Sequence, residues 1–121
     1  TGNGDPGNVE RREDKDNFTL FLAELRKQLD AQQAQDGHHY LLTIALGLDR
    51  GAFQPLDWKA ITPSLDWINV MTYDMAGAWS TATDFNAPLY AAGDHNSDDI
   101  AMRSLLGLGI PADKLVMGAP F

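Results

Sequence analysis

The chain has 121 residues, of which 44% are hydrophobic and 9% aromatic, and this predicts one globular domain with a packed core rather than a disordered segment. The formal net charge of -8 argues against nucleic acid and anionic membrane surfaces as partners, because an acidic protein repels both. The absence of cysteine excludes a disulfide framework and a thiolate zinc site, and no apolar run has transmembrane length.

The first part of the chain predicts a loop, a long helix and a buried strand. Residues 1–12 are rich in loop-forming residues, and residues 13–34 carry apolar side chains at helical spacing. These side chains are Phe18, Phe21, Leu22, Leu25 and Leu29. The acidic residues near the start of this helix predict a solvated first turn; they are Glu10, Glu13, Asp14 and Asp16. The continuous apolar run 40–46 predicts a strand covered on both faces.

The middle of the chain predicts a short helical segment followed by a second strand. Residues 57–65 predict one or two helical turns that are broken at Pro63. The apolar run 67–73 follows at once and predicts a second buried strand. Tyr73 and Asp74 then lie at the end of that strand.

The last part of the chain predicts one more helix and one more strand. Ser97 is a good cap for a helix over residues 98–108 that ends at Gly107 or Gly109. Residues 115–119 predict a third strand. Three apolar strands separated by helical segments indicate right-handed crossovers and hence a parallel α/β sheet. Such sheets bind ligands at the carboxyl ends of their strands.

The connection over residues 74–96 is far longer than ordinary turns of α/β proteins. It contains Trp79, Phe85 and Tyr90, and disordered segments are usually poor in aromatic residues. We therefore predict that this connection is a long substrate loop.

Tyr73 and Asp74 are the first candidates for a ligand site. Burying a phenol beside a carboxylate is unfavourable unless both groups have partners, and a polar ligand would provide them. The alternative is that Tyr73 bonds a neighbouring backbone group and Asp74 caps a turn. Trp79 is either a platform for the apolar face of a sugar or an anchor for the loop. Met71 either lines a pocket floor or fills the core.

Metal and nucleotide sites have little support. His38 and His39 are adjacent, but the sequence offers no third ligand at a plausible spacing. The sequence also lacks the G-x-G-x-x-G, P-loop and G-x-S-x-G motifs. We expect neither a metal nor another cofactor.

Four segments share their order and spacing with a known enzyme family. They are residues 66–74 (DWINVMTYD), 77–79 (GAW), 86–90 (NAPLY) and 114–121 (KLVMGAPF). Together they resemble family 18 of the glycoside hydrolases, the chitinases. Residues 13–26 and 41–45 also resemble a helix and the fifth strand of that family, so the resemblance covers nearly the whole chain. It implies part of a (β/α)8 TIM barrel, from about strand five to strand seven with the flanking helices.

The resemblance also implies a role for each candidate residue. In this family the N-acetyl carbonyl of the substrate is the nucleophile, and a glutamic acid protonates the leaving oxygen. Tyr73 matches the tyrosine that hydrogen-bonds the acetamido group, and Asp74 matches a carboxylate that bonds the sugar in the scissile subsite. Met71 matches the pocket floor, and Trp79 matches an aromatic platform on the leaving-group side.

The family's acid motif, D-x-x-D-x-D-x-E, occurs nowhere in the chain. Its expected place is immediately before Thr1, and the family usually continues beyond the position of Phe121. We therefore expect an internal fragment that is inactive alone. The parent protein is expected to be a secreted chitinase acting on chitin or chitooligosaccharides. Two alternatives stay open: a chitinase-like lectin without the glutamic acid, or a βαβ piece that forms homo-oligomers or swaps domains through its open sheet edges.

Overall fold

The computed structural model describes residues 7–9, 11–48, 56–91 and 96–121. Three α-helices lie within these ranges: α1 (Asp14–Asp36), α2 (Trp58–Ile61) and α3 (Asp98–Gly107). Three strands lie there as well: β1 (Thr43–Leu46), β2 (Trp67–Val70) and β3 (Leu115–Met117). Two 3₁₀ turns, Thr62–Ser64 and Ala112–Lys114, precede β2 and β3. Most of the predicted loop 1–12, including Glu10, lies outside the described residues.

The three strands form one parallel sheet in the order β1, β2, β3. The predicted parallel α/β architecture is therefore confirmed. Asn69 in the central strand pairs with Ala45 on one side and Val116 on the other. Because side chains alternate along a strand, these three residues share one face of the sheet.

The two faces of the sheet are covered unequally. Ile68 and Val70 are almost completely buried and pack in a core with Leu22, Ile61 and Leu105 of the three helices. On the opposite face Val116 is 46% exposed. The prediction of strands covered on both faces is therefore wrong for this chain, because the helices form a single layer.

Helix α1 is slightly longer than the predicted range 13–34. It ends at Asp36 because Gly37 takes the left-handed conformation (φ 75°) and donates its N–H to the Gln33 carbonyl. The helix contacts α2 and the first 3₁₀ turn and buries only Leu22 fully among its described residues. Phe21, predicted on the apolar face, is 56% exposed, so that prediction is wrong.

All three strands are shorter than predicted. β1 begins at Thr43 rather than at residue 40, and Leu41 before it is 57% exposed. β2 ends at Val70 rather than at residue 73, and β3 ends at Met117 rather than at residue 119. An apolar run marks where a strand lies, but pairing with a neighbour decides where it ends, and β3 pairs over only three positions.

Side chains cap the starts of two helices, and the predicted cap at Ser97 is confirmed. Asp57 accepts the Ala60 N–H over 3.1 Å at the start of α2, and Pro63 lies in the 3₁₀ turn that follows. Ser97 accepts the Ile100 N–H over 3.3 Å at the start of α3. The helix ends at Gly107, one of the two glycines predicted to end it.

A polar cluster holds the amino-terminal end of β2. The Asp66 carboxylate accepts the Leu42 N–H over 2.6 Å, Arg26 Nη1 over 3.3 Å and His39 Nε2 over 2.7 Å. Burial alone acts to raise the pKa of Asp66, but the bonds from Leu42, His39 and Arg26 outweigh burial, and the pKa is lowered. This carboxylate therefore ties α1 and the chain before β1 to the start of β2.

Candidate functional site

The chain turns sharply after β2. The Thr72 N–H donates to the Val70 carbonyl over 2.9 Å, which closes a turn of the γ type. The same carbonyl accepts the Gly118 N–H over 2.8 Å, and the Met71 N–H donates to the Leu46 carbonyl over 2.8 Å. The carboxyl end of β2 is thus fixed to the chain segments on both sides.

An open pocket of about 390 Å³ lies at this carboxyl edge of the sheet. Its lining consists of Gly47, Leu48, Met71, Tyr73, Asp74, Met75 and Asn96. Three of the four predicted site residues, Met71, Tyr73 and Asp74, therefore lie together. Their position is the one where parallel α/β proteins bind ligands.

Tyr73 is half-buried, and its ring packs closely against the backbone beyond β3. A Cβ at Gly118 would lie 2.9 Å from Tyr73 Cε1 and 2.8 Å from the Val70 carbonyl oxygen. Thr72 is fully buried and donates its hydroxyl to the Gly118 carbonyl over 2.5 Å. Glycine at position 118 thus allows a close approach that orients the phenol ring at the pocket.

Asp74 is exposed at the rim of the pocket. Its backbone adopts a φ of 58°, which is uncommon for a residue other than glycine, although aspartate and asparagine tolerate it best. Its carboxylate Oδ1 accepts Asn86 Nδ2 over 3.1 Å. The carboxylate therefore carries no large desolvation penalty, and it holds one side-chain partner at the pocket rim.

Trp79 does not line the pocket of Tyr73 and Asp74. Its side chain is 69% exposed, and the ring lies over Gly77, where a Cβ would come within 2.5 Å of Cη2. A second open pocket, also of about 390 Å³, is formed by Ala76, Gly77, Ala78, Ser80, Thr81, Ala82, Thr83 and Asp84. The indole is thus supported by its own loop and presents its outer face to solvent.

The described part of the long connection, residues 74–91 and 96, contains no helix or strand, but it is anchored to α3. The Asp98 N–H donates to the Pro88 carbonyl over 3.0 Å, and the Asp99 N–H donates to the Leu89 carbonyl over 3.1 Å. These donors belong to the first turn of α3, whose N–H groups have no partner within the helix. The helix start therefore positions the loop beside the pocket.

Sequence reasoning missed three polar residues of this region. Asn96 lines the pocket, Asn86 bonds Asp74, and Asp98 is only 7% exposed. Burial raises the pKa of the Asp98 carboxyl, and its Oδ1 has no hydrogen-bond partner. Asn86 is the first residue of the NAPLY segment, so the family motif already pointed to it. No sequence spacing, however, predicts its contact with Asp74.

His38 and His39 are the adjacent histidines for which the sequence offers no third metal ligand. His39 contacts Gln33 Oε1 over 2.9 Å and Asp66 Oδ1 over 2.7 Å. In the described ranges, no three His, Asp or Glu side chains are grouped as metal ligands. None of the helices in this part of the chain combines the length and apolar character needed to cross a membrane.

A parallel sheet with a ligand-sized pocket at its carboxyl edge is the arrangement of an α/β enzyme. The family model for glycosyl hydrolases family 18 matches residues 3–121. The chain is 45% identical to chitinase A1 of Niallia circulans over 125 aligned residues. This alignment covers 95% of this chain and 18% of that protein. It is 38% identical to chitinase 1 of Aphanocladium album, over 86% of this chain and 26% of that protein.

A solved structure gives the same result in three dimensions. The structure superposes on chitinase ChiA74 from Bacillus thuringiensis with a TM-score of 0.89 and 42% identity, over 96% of this chain and 20% of that one. The chain therefore belongs to glycosyl hydrolases family 18, as the sequence motifs predicted. Its three parallel strands are part of the TIM-barrel fold of these enzymes. The chain spans about a quarter or less of the length of these relatives.

Proposed function

We propose that the complete protein hydrolyses chitin or chitooligosaccharides, the β-1,4-linked polymers of N-acetylglucosamine. The observation that carries this proposal is the pocket shared by Met71, Tyr73 and Asp74 at the carboxyl edge of the sheet. The chain's membership of family 18 supports it, because the relatives above bear the name chitinase.

The proposed chemistry is hydrolysis with retention, in which the acetamido group of the substrate acts as the nucleophile. Tyr73 would donate a hydrogen bond to that acetamido group. The contact strengthens as charge develops there, so it stabilises the transition state more than the bound substrate. Asp74 would accept hydrogen bonds from the sugar in the scissile subsite. The closeness of both residues at one pocket rim favours these roles.

Two further residues would bind sugar without taking part in the chemistry. Met71 would form the apolar floor of the pocket, which it lines together with Gly47 and Leu48. Trp79 would offer its exposed face to a sugar ring on the leaving-group side. Its 69% exposure in a loop supported by Gly77 favours the platform over the loop anchor.

We further propose that the 121-residue chain is inactive by itself. The acid motif D-x-x-D-x-D-x-E does not occur in it, and hydrolysis requires a group that protonates the leaving oxygen. Incubation of the purified chain with a chitooligosaccharide tests this point. Product formation above a buffer control would contradict it.

The complete protein carries the main test. We expect Asp74→Asn to lower kcat/KM on a chitooligosaccharide by about tenfold to a thousandfold, the range seen when a transition-state contact is lost. Asp113→Asn is a matched control, because Asp113 is exposed in a 3₁₀ turn before β3 and should leave kcat/KM unchanged. Binding of the oligosaccharide by the wild type without turnover would instead favour the carbohydrate-binding alternative.

Two expectations concern the setting of the protein. Membership of the family leads us to propose that the complete protein is secreted, which fractionation of producing cells would test.

The exposed sheet face around Val116, 46% exposed, favours self-association of the isolated chain. A monomer at all concentrations in analytical ultracentrifugation would contradict self-association.

A further inference from the structure

We propose that Asn86 is a positioning residue for the reaction, because it fixes the carboxylate of Asp74 at the pocket rim. This inference rests on the proposed function, since it assigns a purpose to the geometry of a sugar-binding carboxylate. It concerns a residue that acts through Asp74 and is not itself a lining residue of the pocket.

Asn86 contacts Asp74 with both ends of its amide group. Its Nδ2 donates to Asp74 Oδ1 over 3.1 Å and to the Ala76 carbonyl over 3.3 Å. Its Oδ1 accepts the Asp74 N–H over 3.4 Å. In addition, the Asn86 backbone carbonyl accepts the Met75 N–H over 2.9 Å. An amide side chain provides this combination, because its nitrogen donates and its oxygen accepts.

Asp74 needs such support because little else holds it. It is exposed, so packing does not fix its side chain, and its φ of 58° is unfavourable for most residues with a Cβ. Without Asn86 the backbone would relax toward ordinary φ values. The carboxylate would then move away from the place beside Tyr73 where a sugar would meet it.

Asn86 is itself held by the start of α3. Two residues further along, the Pro88 carbonyl accepts the Asp98 N–H over 3.0 Å, and the Leu89 carbonyl accepts the Asp99 N–H over 3.1 Å. The segment 86–90 is therefore a brace between the helix and Asp74. Because Asn86 occupies Oδ1 of Asp74, it leaves Oδ2 for a sugar hydroxyl.

A double-mutant cycle in the complete protein tests this inference. We expect Asn86→Ala to reduce kcat/KM on a chitooligosaccharide by about a hundredfold, since a displacement of 1 Å has an effect of that order. In an Asp74→Ala background the same change should reduce kcat/KM by less than about threefold, because the residue through which Asn86 acts is gone. Equal losses in both backgrounds would overturn the proposal, because they would show that Asn86 acts independently of Asp74.

Asn17→Ala is the matched control, because Asn17 is exposed on α1 and should leave kcat/KM unchanged in either background. A wild-type protein without turnover would refute the proposed function, and with it the role of Asn86 in the reaction, but not the fixing of Asp74 by Asn86. In that case crystal structures of the complete wild type and Asn86→Ala decide: a displaced Asp74 backbone supports the brace, and an unchanged φ near 58° overturns it.

Discussion

The two ends of strand β2 differ in how their carboxylates are used. At the amino-terminal end Asp66 accepts hydrogen bonds from Leu42, His39 and Arg26, and its side chain is 21% exposed. At the carboxyl-terminal end Asp74 is exposed and has Asn86 as its side-chain partner. The Asp66 carboxylate forms its hydrogen bonds within the fold, whereas the Asp74 carboxylate keeps one oxygen for a ligand. This division matches barrel enzymes, in which one end of the strands provides stability and the other provides the site.

A second polar side chain, Lys114, also stabilises the amino-terminal end of the sheet. Lys114 donates from Nζ to the Thr62 carbonyl over 2.9 Å and to the Leu65 carbonyl over 2.5 Å. It therefore joins the start of β3 to the turn before β2 and gives a partner to carbonyls at the first residue of that turn and at the residue after it. The KLVMGAPF segment thus has two functions: its lysine stabilises one end of the sheet, and its Gly118 admits the Tyr73 ring at the other.

The largest effect should come from Tyr73→Phe in the complete protein. The change removes one hydroxyl and leaves the ring against Gly118, so we expect kcat to fall by about tenfold to a thousandfold. The melting temperature should stay within about 2 °C, because the ring packing is retained. Steady-state kinetics and calorimetry measure the two quantities. An unchanged kcat would remove Tyr73 from the chemistry.

Asp66→Asn should show the opposite behaviour. The variant loses charge-assisted bonds to Leu42, His39 and Arg26, so we expect the free energy of unfolding to fall by about 1.5–3 kcal/mol. The kcat of the folded enzyme should not change. Asp30→Asn is the matched control, because Asp30 pairs with the same Arg26 but is 58% exposed, and its loss should amount to less than about 1 kcal/mol. Equal losses in both variants, measured by urea denaturation, would contradict a special role for Asp66.

The same carboxylate predicts a pH dependence. The pKa of Asp66 is lowered in the folded state, so its contribution is fully present above the unfolded value of about 3.9 and is lost as the pH falls through the lower folded value. Below about pH 4 the free energy of unfolding of the wild type should therefore fall more steeply than that of Asp66→Asn. Parallel curves over this range would show that Asp66 does not contribute to acid stability.

Trp79→Ala should have a smaller effect, confined to binding. Removal of the exposed indole takes away a sugar platform but leaves the pocket of Tyr73 and Asp74 intact, so we expect Kd for a long chitooligosaccharide to rise by roughly tenfold, about 1.4 kcal/mol. Calorimetric titration of long and short oligomers measures the difference. Phe85→Ala is the control, because Phe85 is 72% exposed in the same loop but has no proposed contact with sugar. Similar losses in both variants would contradict the platform.

The sequence predicted the order of the elements better than their ends. Apolar runs located all three strands, and Ser97 marked the start of α3 where the structure has it. The end of β2 depends on the bond between Thr72 and Val70, which no local pattern indicates. Tyr73 and Asp74 were found because they follow an apolar strand. Asn86 was missed because its contact with Asp74 spans twelve residues of irregular chain.

Asp98 allows the last and smallest comparison, because its pKa moves in the opposite direction from that of Asp66. Burial raises the pKa of Asp98 in the folded state. The contribution of Asp98 to the free energy of unfolding is therefore complete below its unfolded pKa of about 3.9. It is lost as the pH rises through the higher pKa of the folded state. Asparagine at this position does not titrate, so the stability of Asp98→Asn relative to the wild type should increase between about pH 3 and pH 7. A difference that stays constant with pH would mean that the Asp98 carboxylate is as well solvated in the folded protein as in the unfolded chain.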